Sequence, residues 1–373
     1  MKLSCERQAL LLELQIVARA AAPPRSPIPA LSGVRLATVN SRLELTATDT
    51  EIALRSSLEA EVERPGIVLL PARLLVDILR ALEGDSVLLD QRAETNEVTV
   101  SSQRATFSLR TLLADDFPRV PEGLDEGAVE LPAKAMSATI ERVAKAASRD
   151  ETRPVLTGIL MSVDDQGLRM VATDSYRLSV KETPLEEDAR ESFEANVPAR
   201  ALQELSRIAG ETGAESVKVA ARDNQVVFGV ERMTLSSRLI DGQFPNYRQL
   251  LPDAYEHELR VSREELASVV RRISILAQRT APLRMRFENG QVTLSAQTPD
   301  VGEASETIPV SYEGEALEIG FNPQFLQDGL DSVHSDDLVV KLISPLRPGL
   351  LEAAGDDDDG RFLYLIMPVR LNV

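Results

Sequence analysis

The sequence predicts an α+β fold in which one unit of antiparallel strands and helices occurs three times, and three observations carry that expectation. Three segments open with a short strand and an amphipathic helix, at Lys2–Ala21, Val129–Ser148 and Glu258–Ala277. Landmarks recur at one interval: Leu31-Ser32-Gly33 against Leu156-Thr157-Gly158 and Ala47-Thr48-Asp49 against Ala172-Thr173-Asp174 at 125 residues, Phe117-Pro118 against Phe244-Pro245 at 127. Between the helices, apolar residues alternate with polar ones, the period of half-buried strands. A single offset held over this many landmarks marks an internal repeat.

Each copy divides into two halves. The second halves open on a strand and a proline-initiated helix: Val68–Leu75 with Pro71, Asn196–Leu202 with Pro198, and Gly320–Leu326 with Pro323. Proline suits a helix start because its missing N–H would have no partner there. The alternating segments Arg42–Thr48, Ile52–Ala60, Glu97–Ser101 and Thr106–Leu112 read as strands. Proline, glycine and acidic residues cluster at Pro121–Gly127 and Pro252–Glu256, where linkers are expected. The domains are therefore placed at residues 1–122, 128–253 and 257–373. A 373-residue chain exceeds the size at which a single core stops growing, so several domains are also what length requires.

Composition bounds the function. Cys5 is the only cysteine, so no disulfide framework exists, and the two histidines, His257 and His334, lie far apart in sequence with no second cysteine between them. No metal or cofactor is expected. The apolar run Ala9–Leu12 is broken by Glu13 and flanked by Arg7 and Arg19, unlike a signal peptide. No uninterrupted apolar run of about 18 residues occurs, and the chain reads as soluble and cytoplasmic.

A net charge of −18 argues at first against nucleic acid, but its distribution is uneven. The six helical segments together carry +5, so the strands and loops carry −23. Helices sharing one face would make a basic lining that attracts phosphate without reading sequence. The alternative is that Lys and Arg sit on helices simply as good, solvated helix formers.

Four segments then resemble one family: Thr173–Leu178, Asp241–Arg248, Ser344–Gly349 and Tyr364–Leu371. End to end, the chain is similar to the bacterial DNA polymerase III beta subunit, the sliding clamp. The resemblance implies three clamp (processivity-factor) domains per copy and a head-to-tail homodimeric ring around duplex DNA, helices lining the inside and antiparallel sheets outside. It implies no catalysis. Its implied partners are DNA held without sequence preference, the DNA polymerase III catalytic subunit, a clamp loader, and other polymerases and repair proteins that dock through short Leu/Phe motifs.

The peptide cleft implied by the resemblance comprises Leu156, Thr173, Ser175, Tyr176, Arg177, Leu178, Pro245, Gln249, Leu250, Asn322, Phe325, Leu346, Leu365, Met367, Pro368, Val369, Arg370 and Leu371. Ser175-Tyr176 stands where the family often has a small residue and His, and Gln249 where it can have Arg. Pattern alone reads the apolar members as core. For DNA, Arg25 matches a family position, while helix placement nominates Arg73, Arg80, Lys134, Arg142, Lys145, Arg149, Arg153, Arg200, Arg207, Arg271, Arg272 and Arg279. About half of these are expected to turn outward or into ion pairs. The subunit contact is placed at the edge strand Arg104–Leu109, with Arg104, Phe107 and Leu109, against Ile275, Leu276 and the Thr298–Ser305 edge with Glu303. Phe107 and Leu109 read equally well as core.

Asp356–Asp359 lacks the ligand spacing of a calcium loop and reads as a solvated hairpin. Paired Asp49-Thr50 and Asp174-Ser175 suggest the two lobes of an aspartic protease, but Glu51 and Tyr176 follow where that family needs Gly. A scaffold that uses its repeats only for protein contacts is the remaining rival.

Overall fold

The structure is a computed structural model that describes all residues except 93–95, 121–123, 125–126, 186–191, 223, 278–280, 356–359 and 372–373. In the first repeat the order is β1 (Lys2–Glu6), α1 (Arg7–Val17), β2 (Gly33–Val39), β3 (Arg42–Thr48), β4 (Ile52–Glu59), β5 (Glu61–Arg64), β6 (Ile67–Pro71), α2 (Ala72–Ala81), β7 (Ser86–Arg92), β8 (Glu97–Ser102) and β9 (Ala105–Arg110). The second runs β10 (Val129–Pro132), α3 (Ala133–Ala144), β11 (Gly158–Asp164), β12 (Gly167–Thr173), β13 (Arg177–Thr183), β14 (Phe193–Pro198), α4 (Ala199–Thr212), β15 (Ser216–Arg222), β16 (Gln225–Val230) and β17 (Met233–Arg238). In the third come β18 (His257–Ser262), α5 (Arg263–Ser274), β19 (Leu283–Glu288), β20 (Gln291–Thr298), β21 (Gly302–Pro309), β22 (Leu317–Phe321), α6 (Pro323–Ser332), β23 (Asp337–Leu342), β24 (Gly349–Ala353) and β25 (Phe362–Ile366). The linker expected at Pro121–Gly127 and the acidic run Asp356–Asp359 fall largely or wholly outside the described residues.

Two compact units emerge, residues 1–133 with 207–239, and residues 134–206 with 240–373. The first holds a five-stranded sheet in the order β5-β1-β7-β8-β9 and an eight-stranded sheet β10-β15-β16-β17-β4-β3-β2-β6. The second holds an eight-stranded sheet β14-β11-β12-β13-β25-β24-β23-β18 and a four-stranded sheet β21-β20-β19-β22. Every pairing is antiparallel, so hairpins rather than crossovers connect most neighbours.

Each eight-stranded sheet joins halves of two successive repeats. β4 meets β17 with Leu54 opposite Leu235, and β13 meets β25 with Ser179 opposite Tyr364. These seams have no local sequence signature. They satisfy the edge N–H and C=O groups that a separate half-sheet would leave open.

The alternation holds where one face is covered. β8, β20 and β23 bury every second residue. The expectation of half-buried strands fails at β13 and β25, which are buried almost throughout. Helices cover one face; on the other, Phe244, Tyr247, Leu251 and Tyr255 pack over Val171, Leu178, Val180, Leu350, Leu363 and Leu365. That cluster becomes the floor of the site described below.

Cys5 faces inward from β1, and burial, followed by the neighbouring Glu6, pushes its thiol up to about 12. The thiolate is the reactive form, so the folded chain should react with a thiol reagent such as DTNB only after denaturation. Prompt labelling of native protein would show that β1 opens readily. Among the described residues no helix is long and apolar enough to cross a membrane, and no group of three or more His, Cys, Asp or Glu is placed to hold a metal.

Candidate functional site

The site is built on a turn that the repeat makes twice. Thr173 Oγ1 donates to the Arg177 carbonyl at 2.7 Å, and Asp174 Oδ1 accepts from the backbone N–H groups of Tyr176 (2.9 Å) and Arg177 (3.0 Å). In the first repeat, Thr48 Oγ1 donates to Ile52 O at 2.7 Å and Asp49 Oδ1 accepts from Glu51 and Ile52 N–H. Both turns need a left-handed residue, Thr50 at φ 82° and Ser175 at φ 79°. Short polar side chains that bond their own backbone make such turns feasible. The recurrent Thr-Asp pair is thus spent on turn geometry, which accounts for its presence without a shared proton.

In the second unit this turn aims Arg177 inward, where the side chain is only 10% exposed. Its Nε donates to Asp174 Oδ2 (3.0 Å), and its Nη1 to Asp328 Oδ2 (2.5 Å) and Tyr364 Oη (3.3 Å). The guanidinium carbon lies 4.3 Å from the Phe325 ring centroid. Burial works against the charge, but Tyr364, Asp328 and Asp174 outweigh it and hold Arg177 above its ordinary pKa. Tyr364 donates in turn to the Phe325 carbonyl at 2.9 Å, and burial raises its phenol. Gly329 on α6 makes this approach possible: a Cβ there would lie 2.5 Å from the Tyr364 ring.

Beside this network opens a cleft of about 700 Å³. Of the expected residues, Thr173, Ser175, Arg177, Leu178, Gln249, Leu250, Leu346, Leu365 and Met367 line it. Leu365 and Leu178 belong to the buried floor, whereas Met367 is 39% exposed and forms a wall. The sequence reading missed Leu251, Pro252, Asp253, Ala254, Ile343, Arg347 and Pro348, which complete two opposing loops. Pro252, Asp253 and Ala254 fall in the expected linker, Arg347 and Pro348 in the family-like segment Ser344–Gly349, and Leu251 and Ile343 carry no signal.

The other expected residues surround the cleft without lining that cavity. Leu156 is buried, and Tyr176 is 61% exposed at the rim, its carbonyl accepting from Met367 N–H at 2.8 Å. Phe325 lies under Arg177, and Asn322 caps α6 by accepting from Gln324 and Phe325 N–H. Val369 N–H bonds Gly320 O, and Leu371 packs where a Cβ on Gly320 would meet it at 2.6 Å. Pro245, Pro368 and Arg370 are placed outside the cavity lining, Arg370 being exposed.

The basic candidates divide sharply. Arg25, Arg73, Lys134 and Arg149 are exposed and form no ion pair with a described residue. Arg80 pairs with Asp77, Arg153 with Asp150, Arg207 with Glu211 and Arg272 with Glu306, while Lys145 and Arg271 both face Asp331. Arg200 is exposed but engaged. Arg142 corrects the expectation: it is 1% exposed, its guanidinium 5.8 Å from the Phe362 ring centroid, because its place on α3 faces the core. Buried there, it cannot reach a phosphate. Arg279 lies outside the described residues.

The family model for the DNA polymerase III beta subunit matches in three parts: its N-terminal domain over residues 1–121, central domain over 130–246 and C-terminal domain over 248–370. The chain belongs to the bacterial DNA polymerase III beta subunit family. The beta sliding clamp of Synechococcus elongatus is 36% identical, with all of both chains covered. Solved structures agree along the whole of both chains: the sliding clamp from Bacillus subtilis at TM-score 0.93 and 27% identity, and that from Pseudomonas aeruginosa with ligand at 0.90 and 32%.

The three matched segments follow the three repeats, whereas the compact units cut across the middle one. The seams explain why. β17 belongs by sequence to the central repeat but is hydrogen-bonded to β4 of the first, and β13 of the central repeat to β25 of the third.

Proposed function

We propose that the chain is a non-catalytic DNA sliding clamp that works as a head-to-tail homodimeric ring in the cytoplasm. The ring encircles duplex DNA without reading its sequence. It tethers the DNA polymerase III catalytic subunit and other peptide-motif partners, and a clamp loader opens it. The observation that carries the ring is an incomplete third seam. By position in the repeat, β9 corresponds to β17 and β25, and β21 corresponds to β4 and β13, the four strands that form the two seams. Within one copy β9 and β21 each end a sheet. A second copy supplies the missing partner to both and closes the assembly.

The two edges are complementary in charge and apolarity. Arg104 precedes β9 and Arg110 ends it, whereas β21 carries Glu303 and no base, its Glu306 being held by Arg272. Phe107 is 38% exposed on β9; beside β21, Ile275 is 81% and Val301 58% exposed. Leu109, two residues on along the same face of β9, is buried in its own sheet.

Light scattering should give about twice the 40.8 kDa chain mass. Phe107→Asp, which places a charge against the apolar edge, should raise the dimer dissociation constant by roughly a hundredfold or more. Circular dichroism of the variant should stay native, because Phe107 lies at a sheet edge. A wild-type monomer at micromolar concentration would overturn the ring.

A further inference from the structure

We propose that Asp328, on α6 behind the cleft rather than in its wall, is a positioning residue that turns Arg177 so that Nη2 donates to a neutral carbonyl of a bound peptide. This rests on the reading of the cleft as a peptide site. Three of the groups around the Arg177 guanidinium are fixed. Asp174 holds Nε and is itself held by two turn N–H groups; Phe325 holds one ring face; Tyr364, anchored to the Phe325 carbonyl, touches Nη1. Asp328 is the group that completes Nη1, and its other oxygen accepts from Gln324 Nε2 at 2.9 Å, so its carboxylate is locked from both sides.

What remains is Nη2, which has no hydrogen-bond partner among the described residues, on a side chain that lines the cleft. Nη2 stays open to the cleft rather than shielded from solvent, so a ligand acceptor can reach it, and a hydrogen bond from a permanently charged donor strengthens as a bound peptide excludes water. The acceptor's charge follows from the neighbours. Asp174 and Asp328 already place two carboxylates on one guanidinium, so the cluster is net anionic and a third carboxylate is repelled. A main-chain or carboxamide carbonyl fits; an Asp or Glu side chain does not.

The test uses the full chain and a short synthetic peptide with one Leu and one Phe anchor. Analogues replace each backbone amide in turn by an ester, which weakens the preceding carbonyl as an acceptor. Affinities come from fluorescence polarisation. In the wild type one ester should cost about tenfold more than the others, as expected for a hydrogen bond to a charged donor. In Asp328→Ala that excess should vanish, whereas Asp328→Asn, whose amide oxygen still accepts from Nη1, should retain most of it. Shortening the Leu anchor should cost the same in all three.

Identical ester profiles in wild type and Asp328→Ala would overturn the proposal. So would a loss spread evenly over every analogue, which a merely structural role predicts and the Asn variant would share. A parent peptide that fails to bind wild type removes the peptide-site reading itself. Binding that is sensitive to Met367→Ala but shows no Asp328-dependent ester removes only the positioning role.

Discussion

Loaded onto a nicked circular plasmid, the protein is expected to persist through salt that strips it from the same DNA after linearisation, with residence times differing roughly a hundredfold or more. The estimate comes from the free cations. Arg25, Arg73, Lys134 and Arg149 are the exposed nominees without a described ion pair. If each copy makes about four phosphate contacts, a ring of two copies makes about eight, and direct attraction falls about ten-thousandfold between 50 and 200 mM salt. A closed ring threaded by a circle has no end to leave from, so its retention does not follow that slope. Gel filtration of loaded plasmid before and after a single restriction cut reads both arms. Equal retention on linear and circular DNA would refute topological holding. Release from both at low salt would mean the free cations are the whole of the attraction. The non-DNA scaffold rival predicts no retention on either form.

Strand bounds were legible to within a residue or two, whereas α1, α3 and α5 end three or four residues before the expected segments Lys2–Ala21, Val129–Ser148 and Glu258–Ala277 do. β3 spans Arg42–Thr48 as the alternation indicates, and all six strand–helix openings lie where the repeat places them. Period-two alternation reports a sheet with one wet face, so it reads β8 and β20 correctly and misjudges β13 and β25, covered on both sides. The seams were not legible, because each pairs residues from different repeats and no short-range pattern encodes that pairing. Nor was the sorting of the cations. A letter count gives Arg142 the weight of Arg73, but helical phase buries the first and exposes the second. In the cleft, the strand residues Leu178 and Leu365 and, through the family-like segment, Leu346 were found, while 251–254, 343 and 347–348 lie in loops with no period to read.

The cleft itself is best tested at Met367, where binding and folding separate. Met→Ala at this position is expected to weaken a Leu/Phe peptide by about thirtyfold, on the order of 2 kcal/mol, while leaving the melting curve nearly unchanged. Two properties of the residue lead there. Its side chain lines the cavity yet is 39% exposed, so truncation removes a wall without opening a hole in the core. Its backbone N–H holds the Tyr176 carbonyl at 2.8 Å, a bond that does not depend on the side chain. Methionine also suits such a wall, being flexible and polarizable enough to fit varied anchors. Two residues earlier the balance reverses. Leu365 is 2% exposed and packs in the cluster with Leu178, Val180 and Tyr247, so Leu365→Ala should cost about 2–5 kcal/mol of stability as well as affinity. Removing residues 369–373 is a harsher probe, because it also breaks the Val369 N–H to Gly320 bond and uncovers the surface under Leu371. That deletion should abolish peptide binding and lower the melting temperature slightly. Titration of a labelled peptide alongside melting curves on the same samples decides between site and core. If Met367→Ala melts far below wild type, the residue is core after all; if it folds normally and binds the peptide unchanged, the partner site lies elsewhere.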